Sequence, residues 1–219
     1  MPANLLHTLY LALAYLVLFA AAEWLYHYRR QPAEVTRKLV HIVTGLLTML
    51  FPLLLSSHWY VLLLCGSFLV LLMGTLRFGW LQSVNGVARK TWGSLLFPVI
   101  VYGCFLAFDY YGQYAYYYLP ILILSLCDPV AALVGKRYPH GRYRVLGHTK
   151  TLSGSLGFWV AAMVVSLTLL LGVESLPITQ AILLAVAVAT ATAIAEGLSH
   201  TGYDNLTIPA AALGVLMVS

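Results

Sequence analysis

Long apolar runs, separated by short polar gaps, constrain this chain more than any other feature. The runs cover residues 5–22, 39–55, 59–76, 95–108, 116–134, 154–171, 178–195 and 206–218. Most approach the roughly 20 apolar residues needed to cross the hydrocarbon core of a bilayer. Hydrocarbon offers no partner to a backbone N–H or C=O, so each run must satisfy its own hydrogen bonds as a helix. Only 9% of the residues are charged, whereas a soluble domain carries about a quarter. The expected fold is therefore all-α: a polytopic transmembrane helical bundle of seven to eight spans, forming a single integral membrane domain over residues 1–219. The fourth and eighth runs are short, which suits re-entrant or tilted segments. The first run follows no basic segment and precedes no small-residue cleavage site, so it reads as a retained span and not a signal peptide.

Charge sets the orientation. All 12 Lys and Arg fall in every second gap. Arg29, Arg30, Arg37 and Lys38 lie between the first two runs, and Arg77, Arg89 and Lys90 between the third and fourth. Lys136, Arg137, Arg142, Arg144 and Lys150 lie between the fifth and sixth. Basic loops stay cytoplasmic, so the N-terminus is expected outside. This topology and anionic headgroups account for the net charge of +5, with no need for a nucleic-acid partner. Arg89 and Lys90 are expected to face headgroups. The tyrosines of "DYYGQYAYYY" read as an interfacial aromatic belt. Cys65, Cys104 and Cys127 sit inside apolar runs without metal-like spacing and read as small hydrophobes.

Polar residues inside spans are costly, and each marks a candidate site. Asp128 is seven residues before Gly135, roughly 10 Å along a helix. Pro129 cannot donate to the helix ladder and disturbs the carbonyl of Ser125. Ala131, Ala132 and Gly135 place small residues near the same face. A broken helix beside an acid suits a cation; a plain kink with a tolerated acid paired to an Arg is the alternative. The gap then ends in "GHTKTLSGSLG". Its hydroxyls and its Gly154 and Gly157, with Ser153 as N-cap of the sixth span, make an anion site beside Lys150. An ordinary capped helix start is the alternative. The pattern is not a Walker A loop. Arg37, Lys38 and His41 open the second span, with Arg37, His41 and Gly45 on one face. Glu196 ends the seventh span, and Asp204 and Asn205 open the eighth, where Asp204 also suits a helix cap. All these residues fall at the expected cytoplasmic ends.

Three stretches, "RKLVHIVTG", "CDPVAALVGKRYPHGRYRVLGHTKTLSGSLGF" and "EGLSHTGYDNLTIP", resemble the CTP-dependent polyprenol kinases, the family of dolichol kinase and phytol kinase. The resemblance implies transfer of the γ-phosphate of a nucleoside triphosphate, usually CTP, to a lipid alcohol. It assigns Asp128, Gly135, Lys136, Lys150, Ser153, Gly154 and Ser155 to the nucleotide-binding stretch. Glu196, Asp204 and Asn205 match the later acidic motif, and Arg37, Lys38 and His41 the early one. A more distant resemblance to the CDP-diacylglycerol synthases is weakened at "AEGLSHTGYDNLTIP", which lacks their Lys-Asp pair and Pro-Gly-Gly-Asp-Arg run. A CTP-dependent diacylglycerol kinase and a non-catalytic lipid transporter are the other readings.

The expected chemistry follows from what phosphoryl transfer needs, which is charge neutralisation and in-line placement. Mg²⁺ is expected between the nucleotide phosphates and Asp128, with Glu196 or Asp204 helping. Lys150, Lys136 and the backbone of residues 153–155 are expected to hold phosphates, with Arg37 and Lys38 balancing charge. Asp204, ahead of Glu196, is expected to accept the alcohol proton, with His41 as a second candidate base.

Overall fold

The computed structural model describes residues 3–86 and 92–219. Arg89 and Lys90, expected at the headgroups, lie outside the described residues. In chain order the elements are α1 (Ala3–His27), α2 (Ala33–Thr48), the single-turn α3 (Phe51–Leu54), α4 (His58–Phe78), the single-turn α5 (Gln82–Asn85), α6 (Gly93–Tyr111) and α7 (Ala115–Leu122). A π-helical turn (Ile123–Cys127), α8 (Asp128–Arg137), strands β1 (Arg142–Val145) and β2 (His148–Thr151), α9 (Leu152–Gly172), α10 (Ile178–Leu198) and α11 (Asp204–Val218) complete the order.

Among the described residues, seven helical segments are long and apolar enough to cross a membrane. One of them is the 23-residue run Ala115–Arg137, in which α7, the π turn and α8 join end to end. Large apolar side chains on several of these helices, such as Leu13, Val17, Val70, Val164 and Leu183, are more than half exposed. Apolar surface on that scale belongs against lipid, and the chain is an integral membrane protein. The fourth run is longer than its apolar stretch suggests, because α6 continues through Gly93 and Ser94 at one end and Asp109 to Tyr111 at the other. The eighth stays short: the 15 residues of α11 reach only about 22 Å.

By packing, the chain divides into two compact units, Met1–Tyr102 and Gly103–Ser219. In the first, α1 packs on α2 and α4, and α5 lies against both α1 and α2. Phe19, Ala22, Val40, Leu72 and Val84 form a buried core there. Gly79 (φ 70°) closes α4 in the left-handed conformation that glycine adopts most easily. The chain then folds back through Leu81 (φ 53°). This turn delivers Ser83, whose N–H donates to Glu23 Oε1 (3.3 Å) and whose carbonyl accepts from Thr36 Oγ1 (2.6 Å). At the opposite end of the unit, Asn4 Nδ2 donates to Ser56 Oγ (2.7 Å) and a ring nitrogen of His7 meets the Leu54 carbonyl (2.8 Å).

In the second unit α10 packs between α9 and α11, α8 lies along α9, and α7 meets α9 and α11. At one end Glu174 Oε1 accepts from the Ala115 N–H (2.6 Å) and Tyr116 Oη donates to the Leu216 carbonyl (2.8 Å). Tyrosines stack at this end, Tyr111 on Tyr116 with centroids 4.3 Å apart and Tyr114 on Tyr118 at 5.4 Å. At the other end lie the end of α8, the start of α9 and a feature that the all-α expectation did not include. The basic gap is an antiparallel β-hairpin, paired from Arg142↔Thr151 to Val145↔His148. Its two turn residues, Leu146 (φ 47°) and Gly147 (φ 83°), are both left-handed, the signature of the tight turn that matches strand twist.

Candidate active site

Pro129 shapes the approach to Asp128. With no N–H at residue 129, the Ser125 carbonyl loses its partner one turn back, and the helix widens into the π turn Ile123–Cys127 immediately before Asp128. Inserted turns of this kind bend a helix and recur at functional sites. Beyond it, Asp128, Ala131, Ala132 and Gly135 share one stripe of α8, and the small residues let α9 come very close. A Cβ on Gly135 would stand 2.7 Å from Thr151 Oγ1. One on Gly154 would stand 2.9 Å from the same oxygen and 3.0 Å from the Ala131 carbonyl. Gly154→Val should therefore force α8 off α9 and destabilise the protein by about 1–3 kcal/mol, read as a lower unfolding midpoint in detergent. An unchanged midpoint would mean the two helices do not need this contact.

The start of α9 corrects one expectation. Thr151, not Ser153, is the N-cap: its backbone is extended (φ −130°, ψ 142°) and its Oγ1 accepts from the Gly154 N–H at 3.1 Å. The reason is the hairpin. Thr151 is the last residue of β2, so it already has the extended geometry a cap requires. Ser153 sits within the first helical turn, where its Oγ donates to the Tyr138 carbonyl and ties the end of α8 to α9. The Leu152 N–H donates to the Gly141 carbonyl (3.0 Å). Two N–H groups of this helix start are thus already engaged within the chain, which shifts the burden of binding an anion toward side-chain cations.

The hairpin carries Lys150 to Glu196. Lys150 Nζ lies 2.7 Å from Glu196 Oε1 and also donates to the Glu196 backbone carbonyl. The side chains are 19% and 10% exposed, so this is a largely desolvated pair. Tyr143, directly across the hairpin from Lys150, shares a hydrogen bond with Ser155 (2.8 Å). Its hydroxyl also lies 3.2 Å from where a Gly197 Cβ would stand. Near the hairpin turn, His148 Nε2 is 3.5 Å from Thr201 Oγ1, and the His148 and His200 rings are 6.1 Å apart. Lys150, Glu196, Ser155 and Tyr143 therefore meet where the hairpin, the start of α9 and the end of α10 converge. Sequence reading missed Tyr143, and it placed Thr151 among the hydroxyls of the anion site without giving it the cap. The alternation in "RYRVLGHTKT", with Tyr143 partly covered between exposed Arg142 and Arg144, was the available signal for both.

No family model matches this chain, and no solved structure does. Among curated proteins, a phytol kinase from Synechocystis sp. is 32% identical over 189 residues, covering 86% of this chain and 80% of that protein. The chain belongs to the polyprenol and phytol kinase family. In this family member the residues expected at the site are spread over several elements. Asp128, Gly135 and Lys136 lie on α8, Ser153, Gly154 and Ser155 in the first turn of α9, and Asp204 and Asn205 at the start of α11. Asp204 Oδ1 accepts from the neighbouring Asn205 N–H (3.0 Å). Arg37, Lys38 and His41 lie on α2, in the first unit. The His41 ring packs edge-on against Phe97, with centroids 5.7 Å apart, and Arg37 Nε is buried without a hydrogen-bond partner.

The carboxylates bear on whether Mg²⁺ fits. Glu196 Oε2 is buried and accepts no hydrogen bond, which leaves an anionic oxygen beside Lys150 with its lone pairs unused. Among the described residues no three His, Cys, Asp or Glu side chains come together as a metal cluster. Mg²⁺ commonly binds through one or two carboxylates plus phosphate oxygens and water, without an all-protein cage. The donor set therefore fits a cation that arrives with the phosphates.

Proposed function

We propose that the chain is a lipid-alcohol kinase. It moves the γ-phosphoryl group of CTP, or of another nucleoside triphosphate, to an isoprenoid alcohol such as phytol, farnesol or a polyprenol, at the cytoplasmic face of the membrane. Family membership supports a phosphotransferase with an alcohol acceptor. The observation that carries the assignment to this site is the Lys150–Glu196 pair, 46 residues apart in sequence and 2.7 Å apart in space. It presents a cation held in place and an unsatisfied carboxylate oxygen at the mouth of a glycine-rich helix start.

Each residue has a part in the reaction. Lys150 neutralises charge on the transferred group, and Glu196 fixes the position of its ammonium. Lys136, with Arg37 and Lys38, adds positive charge for the triphosphate. Gly135, Gly154 and the Ser153–Ser155 turn leave room for phosphate oxygens to approach the backbone, and Asn205 supplies a polar contact to the nucleotide. Bound Mg²⁺ would supply further charge neutralisation, held by Asp128 with Glu196 or Asp204. The new bond joins the alcohol oxygen to the γ-phosphorus as the bond to the β,γ-bridging oxygen breaks, and the nucleoside diphosphate leaves with that electron pair. Asp204 takes the proton of the alcohol, with His41 as the second candidate base.

Purified protein incubated with γ-labelled CTP and a panel of lipid alcohols tests the reading. The expected result is a labelled lipid monophosphate together with CDP. Release of pyrophosphate with formation of a CDP-lipid would make the protein a cytidylyltransferase. Phosphorylation of diacylglycerol alone would move the acceptor class. Lipid binding with no nucleotide consumed would leave a transporter or binding protein.

A further inference from the structure

A groove of about 770 Å³ runs between α1 and α4 in the first unit. It is open along one side, as a groove that takes a chain from the surrounding lipid must be. Leu16, Phe19, Val70, Leu71 and Gly74 wall it, and Glu23, His27 and Gln82 gather at one end. Leu16 lies about 10 Å deeper along α1 than Glu23, and Val70 about 12 Å from Phe78 along α4. The groove is thus an open apolar trough about two helical turns long with polar residues at one end. That polar end is the end of both helices that the Lys and Arg distribution turns toward the cytoplasm.

The polar end is held by the backbone beneath it. Leu81 (φ 53°) is a bulky residue in the left-handed region, a conformation such residues rarely adopt. It packs against the Phe19–Ala22 core and so turns Ser83 toward Glu23. Strained backbone of this kind tends to mark functional positions. Glu23 Oε1 accepts from the Ser83 N–H. Glu23 Oε2 stands 3.1 Å from His27 Nε2, yet it is buried and takes no aligned hydrogen bond. The His27 contact satisfies distance but not direction, and a carboxylate oxygen has two lone pairs, so this oxygen can accept a further donor. A hydroxyl supplies one. A phosphate headgroup does not, and its negative charge is repelled by the carboxylate.

The geometry points to this groove as the docking seat that the acceptor alcohol occupies before transfer, with its hydrocarbon tail between α1 and α4 and its hydroxyl donating to Glu23 Oε2 until Asp204 takes that proton in the transfer step. This deepens the kinase reading above and rests on it for the identity of the ligand. The same carboxylate discriminates by charge: it receives the neutral alcohol and disfavours the phosphorylated product.

The test uses the full chain in lipid nanodiscs and a diazirine-bearing farnesol analogue, with labelled peptides mapped by mass spectrometry. Label is expected on residues 16–23 and 70–78, competed by farnesol and not by farnesyl monophosphate. A Cβ on Gly74 meets nothing within 4 Å, so the side chain of Gly74→Phe starts out into the open trough. It should raise the KM for the alcohol at least about tenfold while that for the nucleotide moves less than about twofold. Glu23→Gln removes the negative charge and should let farnesyl monophosphate compete for labelling nearly as well as farnesol. Label mapping elsewhere, or an unmoved alcohol KM in folded Gly74→Phe, overturns the groove even if the kinase reaction stands. Failure to phosphorylate any alcohol, with the groove still labelled and Gly74→Phe abolishing that label, overturns the kinase reading and keeps the groove. If Gly74→Phe does not fold, labelling of the native chain decides alone. Unchanged competition in Glu23→Gln removes Glu23 from the hydroxyl.

Discussion

Lys150→Ala is expected to lower phosphoryl transfer by a hundredfold or more and to weaken the fold as well. The two losses have different causes. Turnover falls because an oriented cation at the phosphates is gone. Stability falls because the Glu196 side chain is only 10% exposed; without Nζ it becomes a buried charge with no counterion, which costs about 3 kcal/mol. Pairing the variant with Glu196→Gln separates them. The double variant should recover most of the unfolding midpoint, since the uncompensated charge is removed, while transfer stays at or below the level of Lys150→Ala. The non-additivity of the cycle measures the pair. Lys150→Arg should not restore full activity, because a planar forked guanidinium cannot occupy the place of a compact ammonium. Near-normal turnover in Lys150→Ala would show that the pair is a structural clasp between the hairpin and α10, and the site assignment would be wrong.

Asp128→Asn should reduce turnover by a similar factor, about a hundredfold, with little change in folding. The two side chains are nearly the same in shape, so the packing of α8 on α9 is preserved. What changes is charge at the first residue after the π turn, on the stripe that leads through Ala131 to the Gly135–Gly154 contact. The contrast with Lys150→Ala is itself informative: one variant should lose activity and stability together, the other activity alone. A variant that kept turnover within a few-fold would reduce Asp128 to a tolerated acid at a helix kink. Each measurement is a turnover assay at saturating nucleotide and alcohol, read beside an unfolding curve in the same detergent.

Local features were legible where a single residue type forces an outcome. Pro129 lacks an N–H, and the helix gives way at Ser125, as its position requires. Reading failed where neighbouring residues competed for one role. Ser153 and Thr151 are both good caps by type, and the hairpin decided between them by giving Thr151 an extended backbone. The hairpin itself was obscured because a strand of four residues between two membrane helices carries little hydrophobic pattern of its own. Glu23 was passed over for a different reason. In sequence it is one acid at the end of a span, and only the return of the chain through Leu81 shows that one of its oxygens is used and the other is not.

Chain composition and the spacing of its apolar runs were enough to specify a membrane bundle of helices, because lipid leaves the backbone no other way to satisfy its hydrogen bonds. The alternation of basic and charge-free gaps was enough to expect an orientation. Which distant residues touch was decided by tertiary structure alone. Lys150 meets Glu196, Tyr143 meets Ser155 and Ser83 meets Glu23 through helix crossings and turns. Those contacts depend on the packing of small residues at particular points, and hydropathy along one chain does not encode them.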